Sequence, residues 1–215
     1  MDLQRILNIL PGTWIGPLKL VKMRFLRAVN PPTFPRTEKI HIHLGCGAQN
    51  DPGFINVDLI PYPHVHFLHS VEKLPFFSTN HADLIYASHV LEHISHQRTS
   101  DVLKEWARVL KPGGILRLSV PDFNRLLFVY RKEKRDLNSI INPLLGKQNY
   151  KYNFHAAVFT EKYLTALLTS AGFTGIKTWS TGNIPGFAFN DWAGLKLSRS
   201  SGKHFISLNL EARKV

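Results

Sequence analysis

The spacing of hydrophobic and polar residues predicts that strands and helices alternate along most of the chain. Short runs that are apolar, or that alternate between apolar and polar residues, predict strands at 39–44, 54–58, 64–69, 82–88, 114–120 and 205–213. Apolar residues with helical spacing predict helices at 99–110 and 160–171, with glycine shortly after the end of each. Because strands and helices alternate, we expect an α/β fold in which helices cover both faces of a largely parallel sheet.

The turn after the first predicted strand is the most informative feature of the sequence. The strand ends at Leu44, the turn Gly45-Cys46-Gly47 follows, and the second strand ends on Asp58. Glycine lets a backbone turn tightly and come close to a ligand, although a plain tight turn would also explain the two glycines. The interval from the turn to Asp58 is only eleven residues and a third glycine is missing, so the helix and the phosphate cradle of a dinucleotide site are absent. We therefore predict a site for a nucleoside without phosphates, in which Asp58 accepts hydrogen bonds from ribose hydroxyls.

Three blocks of sequence follow one another between residues 40 and 125. They read His43-Leu44-Gly45-Cys46-Gly47 with Gly53-Phe54-Ile55-Asn56-Val57-Asp58, then Leu74-Pro75-Phe76 with Asp83-Leu84-Ile85-Tyr86-Ala87-Ser88-His89-Val90-Leu91-Glu92-His93, then Arg108-Val109-Leu110-Lys111-Pro112-Gly113-Gly114 leading into Leu116-Arg117-Leu118-Ser119-Val120-Pro121-Asp122. In their order and spacing they resemble the class I S-adenosylmethionine-dependent methyltransferases, specifically the small type 11-like group. The resemblance implies a doubly wound, mostly parallel, seven-stranded Rossmann-like sheet with an antiparallel last strand, which residues 205–213 would supply. It also implies S-adenosyl-L-methionine as the cofactor and methyl transfer as the reaction.

The resemblance assigns a set of residues to the cofactor. These residues are His43, Gly45, Cys46, Gly47, Gln49, Asp58, Ser70, Val71, Ser88 and His89. The turn at 45–47 would contact the methionine part through its backbone, and Asp58 would bind the ribose. His43 and Ser70 stand where the family usually has acids, and the Ser70 hydroxyl can still accept a hydrogen bond from the adenine amino group.

Three residues are candidates for removing a proton from the methyl acceptor. His89 follows the fourth predicted strand, Asp122 follows the fifth, and His155 lies in an aromatic loop before the helix at 160–171. The ordinary pKa of histidine is close to neutral pH, so a histidine can act as a base there. Asp122 has a second interpretation as the N-cap of the helix that follows it.

The segment His89-Val90-Leu91-Glu92-His93 also matches the H-x-x-E-H signature of a class of zinc proteases. In those enzymes two histidines of one helix bind the zinc, whereas residues 83–88 predict a strand that would place His89 at a strand end. A zinc site also needs a third protein ligand, and none is evident in the sequence. We therefore expect no metal, and we favour a methyltransferase over a zinc hydrolase.

The pattern divides the chain into an N-terminal arm, residues 1–37, and a methyltransferase domain, residues 38–215. Within the arm, residues 18–29 predict a helix whose apolar residues share one face, with the basic residues largely off it. Such a helix suits the surface of an anionic membrane, or it packs against the core as most amphipathic helices do. Proline-rich residues 31–35 then predict a stiff linker.

Charge and composition indicate which kinds of molecule the protein could bind. The net charge of +12, from 27 Lys and Arg against 15 Asp and Glu, favours anionic partners, although a scattered positive surface also explains it. No nucleic-acid recognition motif is present, so nucleic acid is not an expected partner. No run is long enough to span a bilayer, no secretory signal is recognisable, and the single cysteine fits a reducing compartment. We expect a cytoplasmic protein, for which peripheral contact with an anionic membrane through residues 18–29 stays an alternative to packing of that helix on the core.

These observations predict an S-adenosylmethionine-dependent methyltransferase whose acceptor the sequence does not identify. The group that the chain resembles often acts on small molecules, sugars or glycolipid precursors. The alternative is a catalytically silent module that binds the cofactor or a nucleic acid.

Overall fold

The computed structural model describes residues 16–181 and 191–215. The strands in these two ranges are β1 (His41–Leu44), β2 (Ile55–Asp58), β3 (Phe67–Leu68), β4 (Ala82–Ser88), β5 (Leu110–Pro121), β6 (Phe173–Thr178), β7 (Lys196–Arg199), β8 (Gly202–Phe205) and β9 (Ser207–Lys214). The α-helices in the same ranges are α1 (Pro17–Val29), α2 (Thr99–Val109), α3 (Phe123–Lys132), α4 (Ile141–Leu145) and α5 (Glu161–Ser170). Short 3-10 turns occupy Leu91–His93, Leu137–Ser139 and Trp192–Gly194.

Seven strands form one sheet in the order β3-β2-β1-β4-β5-β9-β6. Strands β1 to β5 run parallel to one another, whereas β9 runs antiparallel to both β5 and β6. This arrangement confirms the predicted doubly wound α/β fold, including the antiparallel last strand. Strands β7 and β8 pair separately as a hairpin that the sequence pattern did not predict, because alternation is a weak signal in strands that are mostly exposed.

The helices are distributed less evenly than the sequence pattern predicts. Helix α2 connects β4 to β5, and helices α3, α4 and α5 lie between β5 and β6. The connections from β1 to β4, all within the described residues, contain no α-helix. The first of these connections is too short for one, and prolines at 61, 63 and 75 interrupt the others. The alternation of strand and helix is therefore confined to the second half of the sheet.

Helix α2 shows how an amphipathic pattern builds the core. Its buried face carries Val102, Leu103 and Trp106, as the spacing predicted. The indole Nε1 of Trp106 donates a hydrogen bond of 2.8 Å to the carbonyl of Val71, which joins the helix to the segment after β3. Each large apolar side chain that becomes fully buried contributes roughly 1.5–3 kcal/mol, so this face is a main source of stability. Strand β5 follows α2 without a loop and begins earlier than predicted.

Helix α1 is attached to the sheet by only part of its surface. Met23 is buried, and the guanidinium of Arg27 donates from Nε to the carbonyl of Val65 at 2.8 Å and from Nη2 to that of His66 at 2.9 Å. The apolar residues that share one face are exposed, by 77% at Leu18, 66% at Val21, 64% at Phe25 and 60% at Val29. This apolar face therefore does not pack against the described part of the core. Among the described residues, no helix is both long enough and apolar enough to cross a membrane.

Candidate cofactor and acceptor site

The turn at 45–47 lies at the carboxyl ends of three neighbouring strands. In the sheet, Leu44 of β1 pairs with Val57 of β2 and with Ala87 of β4. The first two N–H groups of the turn both point at the carbonyl of Val57, at 2.8 and 3.4 Å. Ligands of open α/β sheets bind in the crevice at this edge, so the turn stands where a cofactor would bind.

The two glycines of the turn have different roles. Both have a positive φ, of 62° at Gly45 and 54° at Gly47, which L side chains rarely adopt. A Cβ at Gly45 would lie 2.3 Å from Cγ2 of Val90, so the turn can pack against Val90 only if residue 45 has no side chain. A Cβ at Gly47 would meet nothing within 4 Å. Gly47 therefore keeps a stretch of backbone open to a ligand.

Asp58 closes the other side of this turn. Its Oδ2 accepts a hydrogen bond of 2.7 Å from the N–H of Gly47, and its Oδ1 accepts one of 2.7 Å from the N–H of Ile60. Burial raises the pKa of this carboxyl, and the two N–H donors oppose the rise. A carboxylate oxygen accepts two hydrogen bonds, so each oxygen retains capacity for one ribose hydroxyl. The residues present thus fit the nucleoside that the sequence predicted.

Three aromatic side chains that the sequence analysis did not single out surround Asp58. Nε2 of His64 lies 3.0 Å from the carbonyl oxygen of Gly47, and the ring of Tyr62 stacks on His64 with centroids 5.6 Å apart. Burial and then the charge of Asp58 raise the pKa of Tyr62 to about 12, and the same two causes raise that of Tyr150. Tyr62 and His64 follow β2 closely in the sequence, so their position near Asp58 could have been predicted. Tyr150 comes from a distant loop, and no sequence pattern predicts that it lies near Asp58.

The turn uses its own N–H groups within the protein. Two of them donate to Val57 and the third donates to Asp58. What the turn can offer a ligand is therefore its carbonyl oxygens, which suit the ammonium group of a methionine moiety. Burial, and next the charge of Asp58, raise the pKa of the Cys46 thiol well above its usual range, so the thiol stays protonated.

His43 is a neutral residue in the layer beneath the site. Its ring centroid lies 6.0 Å from that of Phe54 and 5.2 Å from that of Tyr86. Burial, and to a smaller extent the charge of His64, lower the pKa of His43 to about 3. An uncharged ring therefore occupies the position at which the resembled group usually has an acid.

Three further residues assigned to the cofactor, Gln49, Ser70 and Val71, lie in loops beside the same edge. Gln49 is exposed just beyond the turn. Ser70 is half-buried after β3, and its hydroxyl accepts a hydrogen bond of 3.3 Å from the N–H of Glu72. Val71 is buried, and its carbonyl receives the indole N–H of Trp106. Ser70 is thus available to a ligand through its remaining lone pair and its hydroxyl hydrogen.

Ser88 and His89, at the end of β4, differ in their hydrogen bonding. The Ser88 hydroxyl is buried and has no well-formed hydrogen bond to any residue that the structure describes. His89 has a positive φ of 54°. Its Nε2 lies 2.9 Å from the hydroxyl of Ser207, and its Nδ1 lies 2.9 Å from Oε1 of Glu92. Both ring nitrogens of His89 are therefore engaged, while Ser88 can still bind a ligand.

Asp122 follows β5 and caps α3. Its Oδ1 accepts a hydrogen bond of 2.9 Å from the N–H of Asn124, and its Oδ2 lies 3.2 Å from Nε of Arg125. The interpretation of Asp122 as an N-cap is therefore confirmed. Its backbone also forms a parallel bridge with Phe159, which ties the loop before α5 to the end of β5.

His155 meets two residues of the 3-10 turn at 91–93. Its Nδ1 lies 3.1 Å from the carbonyl oxygen of Pro143, and its ring centroid lies 4.9 Å from that of His93. Burial lowers the pKa of His155, and the charge of Glu92 opposes the fall. Because a carbonyl only accepts hydrogen bonds, Nδ1 carries the proton and Nε2 carries the lone pair. The structure thus brings His155 to Glu92 and His93, from which it is far apart in sequence.

Comparisons with known proteins agree with this geometry. The type 11 family model, described as a methyltransferase domain, matches residues 52–118. A methyltransferase structure from Methanosarcina mazei is similar with a TM-score of 0.53 and 19% identity, over 85% of this chain and 95% of that one. One from Archaeoglobus fulgidus has a TM-score of 0.53 and 16% identity, over 99% and 100% of the two chains.

A third similar structure contains ligands. It is the 1,6-didemethyltoxoflavin-N1-methyltransferase of Burkholderia thailandensis with bound 1,6-didemethyltoxoflavin and S-adenosylhomocysteine, with a TM-score of 0.50 and 20% identity over 92% of this chain and 80% of that one. Comparison with curated proteins gives no match. Residues 52–118 therefore match the model of a type 11 methyltransferase domain, and the described fold is that of the S-adenosylmethionine-dependent methyltransferase structures to which the chain is similar.

Proposed function

We propose that this chain transfers a methyl group from S-adenosylmethionine to a hydroxyl or amine of a small molecule or of a glycan or glycolipid precursor. The main support for binding of the cofactor is the hydrogen bond that Asp58 accepts from the turn at 45–47. The cofactor supplies an electrophilic methyl group on a sulfonium. Asp58 would hold the ribose, the carbonyls of the turn would face the ammonium group, and Ser70 and Ser88 would bind the remaining polar atoms.

Among the three candidate bases, His155 is the best suited to accept a proton. Both nitrogens of His89 are engaged, and the carboxylate of Asp122 caps α3 and contacts Arg125. His155 donates only from Nδ1, and its lowered pKa keeps Nε2 unprotonated at neutral pH. A base must reach the acceptor atom within hydrogen-bond distance, which the loop of His155 at the sheet edge would permit.

The basic character of the chain supports a polar or anionic acceptor. A net charge of +12 attracts anionic molecules over several ångströms and raises their local concentration. Glycolipid precursors that carry phosphate have this chemistry, and they lie at membranes. The alternative of a silent cofactor-binding module predicts the same cofactor site without turnover.

The test incubates the protein with S-adenosylmethionine labelled in its methyl group and with fractionated cell extract. Uptake of label into one fraction is expected, and that fraction identifies the acceptor. With the acceptor in hand, His155→Ala should lose turnover while cofactor affinity and melting temperature stay nearly unchanged, and His204→Ala, a histidine of β8, serves as the control. If no fraction takes up label although the cofactor binds, the silent module is correct.

We also infer that residues 1–37 act as an arm that holds the domain, residues 38–215, against an anionic cytoplasmic membrane surface. Helix α1 supports this inference because its exposed apolar face has Lys19, Lys22 and Arg24 beside it. Cytoplasmic leaflets carry anionic lipids that attract such basic residues by about 1 kcal/mol each.

A further inference from the structure

Three side chains that bind metals in other proteins converge beside β4. Glu92 and His93 lie in the 3-10 turn at 91–93, and His155 reaches them from the loop before α5. Each offers one ligand atom, and these atoms all lie within 4.8 Å of one another. The sequence analysis considered His89 and His93 as ligands and found no third one. His155 was not evident as a ligand because it is 62 residues from His93 along the chain.

Both histidines are oriented as metal ligands usually are. Nδ1 of His93 lies 3.0 Å from the carbonyl oxygen of Phe154, and Nδ1 of His155 lies 3.1 Å from that of Pro143. Each Nδ1 must therefore be the protonated nitrogen, which leaves the lone pair on Nε2. A backbone carbonyl that fixes the tautomer in this way is a common support for an imidazole that binds a metal.

Glu92 provides an independent reason to expect that a cation can bind here. Its side chain is 1% exposed, and neither carboxylate oxygen accepts a well-aligned hydrogen bond from the residues that the structure describes. Oε1 lies 2.9 Å from Nδ1 of His89, whereas Oε2 accepts no hydrogen bond from the residues that the structure describes. A buried carboxylate needs hydrogen bonds or a cation, because removing it from water is unfavourable. A metal ion at Oε2 would satisfy it.

The backbone holds the three ligands in place. The carbonyl of Glu92 accepts hydrogen bonds from the N–H groups of Ala156 at 2.7 Å and Ala157 at 3.1 Å. The N–H of His155 donates to the carbonyl of Leu145 at 3.0 Å. Gly146 permits this close approach, since a Cβ there would lie 2.4 Å from the carbonyl oxygen of Asn153. The ligand atoms are therefore fixed before any ion binds.

We propose that Glu92, His93 and His155 bind a divalent first-row transition-metal ion, with Zn²⁺ as the probe. Two neutral imidazoles and one carboxylate are a ligand set that suits such ions, whereas Mg²⁺ and Ca²⁺ prefer oxygen ligands throughout. Three protein ligands leave at least one coordination position open to water or to a ligand. In the competing account no ion binds, and protonated histidines alone neutralise Glu92.

The proposal is separate from methyl transfer, although it shares one residue with it. When an ion is bound, Nε2 of His155 is a ligand and cannot accept a proton. The metal-bound form would therefore lack the base proposed above. Any methyl transfer by that form would need a different residue to accept the proton. Metal binding can be measured without turnover, so failure of either proposal is visible independently of the other.

The experiment measures Zn²⁺ binding to the full chain by competition with a chromophoric chelator, after dialysis against a strong chelator. The expected result is one Zn²⁺ per chain, weakened at least about tenfold in Glu92→Gln, His93→Ala and His155→Ala. The matched control is His96→Ala, which removes an exposed histidine close to the same turn. Equal weakening by the control, or no stoichiometric binding, would overturn the proposal.

Two further measurements distinguish a loss of metal binding from a loss of the fold. Thermal melting of each variant shows whether the fold is intact. The wild-type chain is also titrated with Co²⁺, whose visible absorption reports imidazole and carboxylate ligation and should disappear when Zn²⁺ displaces it. If Co²⁺ gives only the spectrum of the hydrated ion, the site does not bind metal, whatever the variants do.

Discussion

Asp58 organises the turn at 45–47 in this structure, and we propose that the same carboxylate binds the ribose of the cofactor. Replacing it with alanine should weaken binding of S-adenosylmethionine and of its demethylated product by about 1–3 kcal/mol, the scale of hydrogen bonds to a charged group. Calorimetry measures this loss, and wild-type protein should not bind NAD, because no phosphate cradle accompanies the turn. Asp101→Ala is the control, since that side chain is 78% exposed on α2. Unchanged affinity in Asp58→Ala would remove the ribose role.

The glycines at 45 and 47 should respond differently to the same substitution. Gly47→Ala has room for the methyl group, so it should lose only about 1–2 kcal/mol from its positive φ. Gly45→Ala adds the 2.3 Å approach to Val90, and overpacking contributes a further 1–3 kcal/mol or so. Urea unfolding of the two variants is the measurement. Equal losses would mean that Val90 moves aside without penalty.

Residues at strand ends could be predicted because a strand pattern fixes both where a strand stops and which edge it reaches. The placement of Gly45, Gly47 and Asp58 follows from this regularity. Tyr150 and His155 follow from no local pattern, since Gly146 and the hydrogen bonds of the loop to the 3-10 turn decide where they lie. The same limit explains why the third candidate metal ligand was not evident in the sequence.

At the scale of the element, helix α1 gives the clearest contrast between pattern and structure. The spacing predicted the helix and its apolar face correctly, but it could not decide between core and membrane. In the structure, one buried methionine and one arginine hold the helix, and the apolar face remains exposed.

Membrane binding of α1 is open to a direct test. Phe25→Ser should lower affinity for vesicles of anionic lipid by roughly tenfold or more, because a buried phenylalanine contributes about 1.5–3 kcal/mol. Phe25 is 64% exposed, so the fold should be nearly unaffected. The control is Phe128→Ser, since Phe128 on α3 is 50% exposed. Sedimentation with anionic and with neutral vesicles measures binding, and equal effects of the two variants would exclude a specific role for α1.

At the scale of the whole molecule, the sheet was predictable and the loops over it were not. Strand order and the antiparallel last strand follow from the family's ordered blocks, because sequence and topology are coupled in doubly wound folds. The hairpin β7–β8 lacks a buried face, and the loop before α5 is defined by long-range backbone hydrogen bonds. The candidate base His155 lies in one of these loops, so the sequence predicted the cofactor but not the acceptor.

The last prediction concerns acid stability, which depends on histidines spread over the molecule. Burial lowers the pKa of five of them, namely His41, His43, His64, His66 and His155. In the unfolded chain each would take up a proton near its ordinary pKa of 6.5, whereas the folded chain resists protonation. The unfolded state therefore binds more protons as pH falls, and the free energy of unfolding should decrease steadily below about pH 6.5.

His43 contributes to this loss of stability down to the lowest pH, since its pKa in the folded chain is about 3. Between pH 6.5 and pH 5 His43 contributes up to about 1.4 kcal/mol per pH unit, and the four partly exposed histidines add smaller losses in the same direction. Asp58 acts in the opposite direction, because its raised pKa stabilises the fold at low pH and this contribution is lost as pH rises through that pKa. Urea unfolding at pH 5, 6 and 7 measures the slope. His43→Gln should make it shallower, whereas His204→Ala should leave it unchanged, and a flat profile in the wild type would show that the buried rings gain protons without unfolding the chain.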